Sequence, residues 1–319
     1  MDPSRPHDKY FRSVFSNPAN ATSLLRAYVP ESLARTLKWS TLTLLPGRFV
    51  SPDWRDSEAD LLFSVERETG ATPVLVYVLL EHQSSPDRWM PLRLLNYCVQ
   101  IWPRWRNRQQ EERGLPLIVP LVLYQGADPW QYDREFAELF ANAEPEWRWV
   151  PRFEHLLIDQ TEQSPESVSG AVAARLAQIA MMAAFRAARE ALLVSATRLM
   201  GELYRAVGFE EVAKHVEYVL ATQPDQHRAA FVESLRRNVP GRGGEVMNYV
   251  EQMVERGRRE GLQEGKLLGQ VRTIEGLLGS EVPWSTIEAA TGIDEATFRK
   301  LKQQVDATDD GTHNAKSMS

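Results

Sequence analysis

Two apolar runs around a turn, in the stretch DLLFSVERETGATPVLVYVLLEHQ from Asp60 to Gln83, constrain this chain more than any other segment. Residues Asp60 to Glu66 and Val74 to Leu80 are rich in Val, Leu, Phe and Tyr, and Gly70 and Pro73 interrupt them, which predicts a β-hairpin. Strand side chains alternate, so Glu81 and Gln83 share one face and His82 takes the other. A pairing centred between Gly70 and Ala71 sets Asp60 directly opposite Glu81, with Cβ atoms about 5 Å apart. Two carboxylates and an amide converging there would suit a hard divalent cation. The plainer reading is that Asp60 caps a strand, Glu81 is a solvated strand end and Gln83 belongs to a loop.

The 319 residues exceed one compact core of usual size, so two domains or one domain with appendages are expected. With 43% hydrophobic and 25% charged residues the composition is that of a soluble globular chain. The single cysteine, Cys98, forms no internal disulfide and suits a reducing compartment, and MDPSRPHDKYFRS lacks the apolar core of a signal peptide, so a cytoplasmic location is expected. From Val168 to Val207 the chain is Ala-rich, but Arg175, Arg186, Arg189, Glu190 and Arg198 interrupt it, which predicts buried or amphipathic helix and no membrane span. A net charge of -6 argues against coating nucleic acid by bulk electrostatics while leaving room for a local basic track.

Along the chain, His7 to Val29 reads as two helices that stop at Pro30, and Leu42, Leu44 and Leu45 lead through GRFVSPDWRDSEA to Asp60. MPLRLLNYCVQIWPRW reads as a helix with Leu92, Leu95, Val99 and Trp102 on one face, and Arg93 and Tyr97, four apart, together on an adjoining one. LPLIVPLVLYQG is a buried strand ending at Gly126. The resulting divisions are an α/β domain over 1–160 and a helical region over 161–240 of two or three helices, with breaks near Gly208 and Pro224. A Gly-repeat helix or linker over 241–275, a helix-turn-helix-like hairpin over 276–305 and a polar, disordered tail over 306–319 complete it. In the repeat, Gly257, Gly261, Gly265 and Gly269 weaken a helix by about 1 kcal/mol each, which close packing along the bare stripe against a partner would offset. In the hairpin, Ile287, Ala290, Ile293, Phe298 and Leu301 form the core. Arg299, Lys300 and Lys302 are its only candidates for contacting DNA, with packing or assembly as the other role.

Several familiar sites are absent. GLQEGKL has the wrong spacing for a P-loop and no following Ser or Thr, no GxSxG elbow occurs, and the histidines lack zinc-site spacing. Cys98 sits in an apolar helix face and reads as core, not nucleophile.

HDKYF near the start, the DLL entering a strand, LLEHQSSPDRWMPLRLLNY and LPLIVPLVLYQGADPW occur in an order, over about residues 7 to 130, that resembles the recombination-promoting nuclease family, also called YhgA-like putative transposases. The Gly-repeat tail with a short terminal helical pair is also similar. The resemblance implies a PD-(D/E)XK (restriction-endonuclease-like) core, magnesium-dependent DNA cleavage with manganese as a substitute, and DNA as partner. Carried across, Asp60 matches the PD acid, Glu81 the second acid and Gln83 the lysine position, with Asp60 and Glu81 holding Mg²⁺ through oxygen. An amide brings no positive charge, so the resemblance leaves the assisting cation to Lys9, Arg88 or Arg93, the last beside Tyr97. Asp8 of the His7-Asp8 pair would supply a third oxygen, whereas His7 reads equally as a structural residue at a helix start. The family's YHG is Tyr124-Gln125-Gly126 here. Arg104, Arg106 and Arg108, interleaved with Trp102 and Trp105, form a candidate DNA-backbone surface or a solvated helix face. The expectations are therefore an endonuclease with a helical C-terminal region for homo-oligomeric assembly, or a catalytically weak DNA-binding or assembly protein on the same scaffold.

Overall fold

The structure is a computed structural model that describes residues 6–46, 61–69, 74–81, 86–108, 114–126, 128–140, 148–187, 189–239, 244–303 and 305, with backbone alone at 77–81, 260 and 264. Asp60, His82, Gln83 and the tail from 306 lie outside the described residues. Two compact units divide the chain, Arg5–Val246 and the part from Met247 onward.

In the first unit the chain begins with α1 (Pro6–Phe15), α2 (Pro18–Tyr28) and the short α3 (Glu31–Ala34). The side chain of Asn17 accepts from the Ala19 amide to start α2, and Pro18 occupies the first turn, where its missing N–H costs nothing. Five strands follow: β1 (Thr43–Leu44), β2 (Leu61–Val65), β3 (Val74–Glu81), β4 (Leu117–Tyr124) and β5 (Leu156–Asp159), in the spatial order β1-β2-β3-β4-β5. The first three run antiparallel and the last three parallel, giving one mixed sheet. β1 and β5 carry little sequence signal of their own. They are two and four residues long, and an edge strand gains its identity from the neighbour it pairs with.

The hairpin forms with a different register from the one expected. Leu61 pairs with Val78 and Val65 with Val74, so the pairing is displaced by two residues from one that would set position 60 against Glu81. The physical reason is that both runs are apolar but for Ser64, and a shift of two leaves every side chain on its original face. Alternation therefore constrains the face and not the pairing. Toward β4, Glu81 is in register with Tyr124, and Tyr124 in turn with Asp159.

One face of the sheet is covered by α4 (Met90–Arg108). Its buried arc is Met90, Leu94, Tyr97, Cys98, Ile101 and Trp105, which pack with Leu62, Leu75, Ile118, Val122 and Tyr124. The stripe of Leu92, Leu95, Val99 and Trp102 is not the one packed on the sheet: Leu92 and Val99 point to solvent and Trp102 is only partly buried. Both stripes follow the spacing of three and four, so periodicity alone cannot choose between them, and the bulkier stripe won the sheet.

After β5 the unit continues in four helices, α5 (Val172–Phe185), α6 (Arg189–Val207), α7 (Phe209–Thr222) and α8 (Asp225–Asn238), one more than the upper expectation. The breaks at Gly208 and Pro224 fall as read, and an additional one follows Phe185. α5 and α7 both pack against α1, so the line at residue 160 falls within a single compact unit. No helix among the described residues is long and apolar enough to cross a membrane.

The second unit contains most of α9 (Gly244–Gly279), 36 residues long, which makes the Gly repeat helical. α10 (Trp284–Thr291) ends at Gly292, whose φ of 71° is a left-handed cap that glycine adopts without strain. A further helix spans 295–303. Val271, Ile274, Ile287, Ile293, Phe298 and Val305 form its small core, while Ala290 is exposed and Leu301 partly buried.

Candidate functional site

The connection between β3 and β4 places the candidate chemistry at one end of the sheet. β3 and β4 are parallel and start in register at Val74 and Leu117, so the chain leaving β3 at Glu81 must return to the opposite edge before β4 begins. α4 makes that return. Its first turn therefore lies at the edge formed by Glu81, Tyr124 and Asp159, and its last turn at the other, where Trp102 Nε1 donates to the Pro116 carbonyl at 3.0 Å. With a rise of about 1.5 Å per residue, Arg93 and Arg106 are separated by about 20 Å.

This ordering separates the predicted residues. Arg88 and Arg93 belong to the Glu81 edge. The Arg88 guanidinium carbon stands 6.0 Å from the centroid of the Trp89 ring, and Arg93 Nε donates to the Tyr97 hydroxyl at 2.7 Å, which fixes both on the near end of α4. Arg104, Arg106 and Arg108 belong to the far edge, partly or fully exposed. The interleaved indoles do not form a stacking platform with them: Trp105 is buried in the core and Trp102 is spent on Pro116.

Asp8, Lys9 and His7 are carried by α1. His7 Nδ1 lies 2.7 Å from the Tyr218 hydroxyl and its ring packs on Phe185, so His7 holds α1 against α5 and α7. Asp8 is buried and Lys9 partly buried on the same helix. Tyr10 stacks on Tyr218 at 3.8 Å, and burial, reinforced by the Asp8 charge, holds the Tyr218 phenol well above its ordinary pKa.

At the strand ends, Asp159 is an acid that sequence reading overlooked, and its chemistry is structural. Its Oδ2 accepts from the Trp130 amide at 2.9 Å, while Oδ1 accepts from the amide and hydroxyl of Thr161 at 2.9 and 2.7 Å. A carboxylate so engaged closes a turn. Tyr124 donates to the Asp128 carbonyl at 2.9 Å, bracing the loop after β4.

Behind this edge runs a chain of buried carboxamides that sequence reading also missed. Gln178 Nε2 donates to the carbonyls of Ser169 and Ala174, which can only accept, so its Oε1 faces outward. Gln160 Nε2 donates to that oxygen at 2.7 Å, and Gln125 Nε2 donates to Gln160 Oε1 at 2.6 Å. The polarity is thereby set along all three residues, and Gln125 Oε1 is left buried without a hydrogen-bond partner. Glutamines at 125, 160 and 178 have no common spacing, so no sequence period announces them.

Cys98 is buried and burial pushes its thiol up to about 11, in keeping with a core residue. Among the described residues no three His, Cys, Asp or Glu side chains gather where they could hold a metal. The oxygen donors expected from sequence for a hard cation are Asp60, Glu81 and Gln83. Asp60 and Gln83 lie outside the described residues, and Glu81 is placed by its backbone register.

A family model described as "Putative transposase, YhgA-like" matches residues 5–207. The chain is 26% identical over 266 residues to the "Inactive recombination-promoting nuclease-like protein RpnE" of Escherichia coli (strain K12), covering 82% of this chain and 86% of that relative. It is 30% identical over 140 residues to "Recombination-promoting nuclease RpnA" of the same strain, covering 44% of this chain and 47% of the relative. With "Recombination-promoting nuclease RpnD" of Escherichia coli O157:H7 it shares 32% over 130 residues, 40% of this chain and 49% of the relative. The matches to RpnA and RpnD therefore span about half of those proteins. No solved structure matches the chain.

Proposed function

This chain belongs to the YhgA-like putative transposase family, and from that premise we propose that it is a DNA endonuclease with a PD-(D/E)XK core, cutting phosphodiester bonds with Mg²⁺, or Mn²⁺ in its place. The observation that carries the reading is the arrangement at one sheet edge. An antiparallel β1-β2-β3 meander ends at Glu81, a helical crossover returns to a parallel β4, and the first turn of that crossover brings Arg88 and Arg93 to the same edge. Ligands of open α/β sheets sit outside the carboxyl ends of the strands, which is where this edge lies.

Asp60 and Glu81 would hold the metal, and when bound it would make a water nucleophilic at neutral pH and offset charge on the scissile phosphate. The protein's own residues do the remaining work. Gln83 orients water through its amide. Arg93, held by Tyr97, supplies the positive charge that the superfamily places on a lysine, with Arg88 beside it and Lys9 and Asp8 on α1 as further contributors. Arg104, Arg106 and Arg108 meet the DNA backbone about 20 Å from the cut, and α9 serves assembly of copies of the chain.

Mg²⁺-titrated nicking of supercoiled plasmid tests the reading. Asp60→Ala and Glu81→Ala should each abolish it, and cutting at the wild-type rate by the double variant would refute the site. A second reading, a catalytically weak DNA-binding or assembly protein, is favoured by the relative with the longest match reported above, which is named inactive. In that case neither Mg²⁺ nor Mn²⁺ supports cutting, yet DNA still shifts in a gel in a strongly salt-dependent way.

A further inference from the structure

We infer that the outward face of α4, with Trp89 at its head, binds single-stranded DNA, one base stacking on the exposed indole. The inference rests on the nuclease reading for the nature of the substrate and goes beyond it in naming the strand-separated form and the residue that receives it.

The inner arc of α4 is consumed by the sheet, and its outer arc, although it carries Asn96, is partly apolar. Trp89 is 56% exposed, Leu92 47% and Val99 52%, and these positions are three and seven residues apart, one stripe along the helix. Trp149 is more exposed still, at 86%, but Trp89 is the exposed indole that heads this helix. It is also held in place: the Trp89 amide donates to Asp87 Oδ1 at 2.8 Å, and the Arg88 guanidinium approaches the ring.

Charge narrows the occupant. From Arg88 to Arg108 the chain carries five arginines and no acidic residue, although the whole chain is acidic at -6. A second copy of this face would set arginine against arginine, so self-pairing is disfavoured. A polyanion with apolar faces fits both features, phosphates meeting guanidinium groups and bases meeting the indole and the aliphatic stripe. In a matched duplex the base faces are already stacked on one another and only edges are offered. An indole can therefore be used only by an unpaired or splayed base.

Position favours the same occupant. α4 runs away from the catalytic edge, so Trp89 marks the end of the stripe nearest Glu81 and Arg106 the far end. A strand laid along the stripe would have its base on Trp89 close to the scissile position and its phosphates along the remainder of the helix.

The test uses the full chain without metal, so that cutting and binding are read separately, with fluorescence anisotropy on a labelled oligo-dT strand and on a matched duplex. Trp89→Ala should weaken binding of the single strand about tenfold while changing duplex binding less than twofold. Trp89→Phe should restore most of it, and Arg88→Ala should reduce the salt slope by about one. Because Trp89 is exposed, the variants should keep the wild-type melting temperature. Unchanged single-strand affinity in Trp89→Ala, or equal losses on both probes, overturns the inference. So does a fall in solution mass for Trp89→Ala, which would mark the stripe as a contact between copies. Repeating the titration in Glu81→Ala separates the two readings: Trp89-dependent binding there, with no nicking by wild type, would sink the endonuclease and leave the inference standing.

Discussion

The phenol oxygen of Tyr10 lies 2.5 Å from Nδ1 of His215, a buried bond that joins α1 to α7 across 205 positions of sequence. Burial, then the nearby Lys214 charge, lowers His215 to about 3, and burial together with Tyr218 raises Tyr10 well above its usual value. Both groups are therefore neutral near pH 7, and the proton between them is shared by a phenol and a neutral imidazole.

Acid should weaken this fold early. His155, also buried, is lowered by burial to about 4. Below about pH 6.5 the unfolded chain binds a proton at each of these histidines, whereas the folded chain binds none until about pH 4 and 3. The stability is complete above pH 6.5 and declines as pH falls, the two groups together costing about 4 kcal/mol between pH 7 and pH 5. Urea midpoints at the two pH values measure this, and replacing both residues with Asn should flatten the dependence.

Removing the Tyr10 hydroxyl leaves His215 Nδ1 buried without its partner. Tyr10→Phe should cost about 1–3 kcal/mol by urea unfolding at pH 7. A double-mutant cycle with His215→Phe should show strong coupling, and additive losses would mean that the bond contributes little.

The carboxamide chain should be unequal along its length. Gln178→Leu strands the Gln160 amide and removes the side-chain donor to the Ser169 carbonyl, and should destabilise by about 2–3 kcal/mol. Gln125→Leu removes an oxygen that already lacks a partner but also the donor to Gln160 Oε1, one acceptor left unpaired, and should cost less, about 1–2 kcal/mol. Thermal melts of the two variants decide whether the polarity assigned to the chain is right.

Arg93 and Arg106 should fail differently in the nicking assay. Arg93→Ala, at the Glu81 edge, should lower kcat by about 10²-fold with little change in KM. Arg106→Ala, about 20 Å away, should raise KM and reduce the salt slope by about one while leaving the rate at saturating DNA intact. The reverse pattern would put the reacting phosphate at the far end of α4.

Gly201 reports on packing of α6 against α8. A methyl group there would overlap the Asn238 backbone carbonyl, so Gly201→Ala should destabilise by roughly 1–3 kcal/mol. The glycines at 257, 261, 265 and 269 meet open space, and replacing each with Ala should stabilise α9 by about 1 kcal/mol if the stripe faces solvent. Loss of solution mass on those replacements would instead reveal packing between copies.

What the amino-acid order determined by itself was local. Apolar runs punctuated by Gly70 and Pro73 were enough for the hairpin strands, Pro30, Gly208 and Pro224 for helix ends, and the four-residue spacing for the Arg93–Tyr97 bond. The short strands β1 and β5, the register that sets Leu61 against Val78, and the choice of Leu94 over Leu92 as the inner face of α4 were left to the tertiary structure. In each case two arrangements satisfy the same local pattern, and only the neighbouring surface distinguishes them. The same holds for the carboxamides of Gln125, Gln160 and Gln178 and for Tyr10 with His215. A buried polar group must find a partner, and that partner comes from whichever distant segment the fold brings within reach.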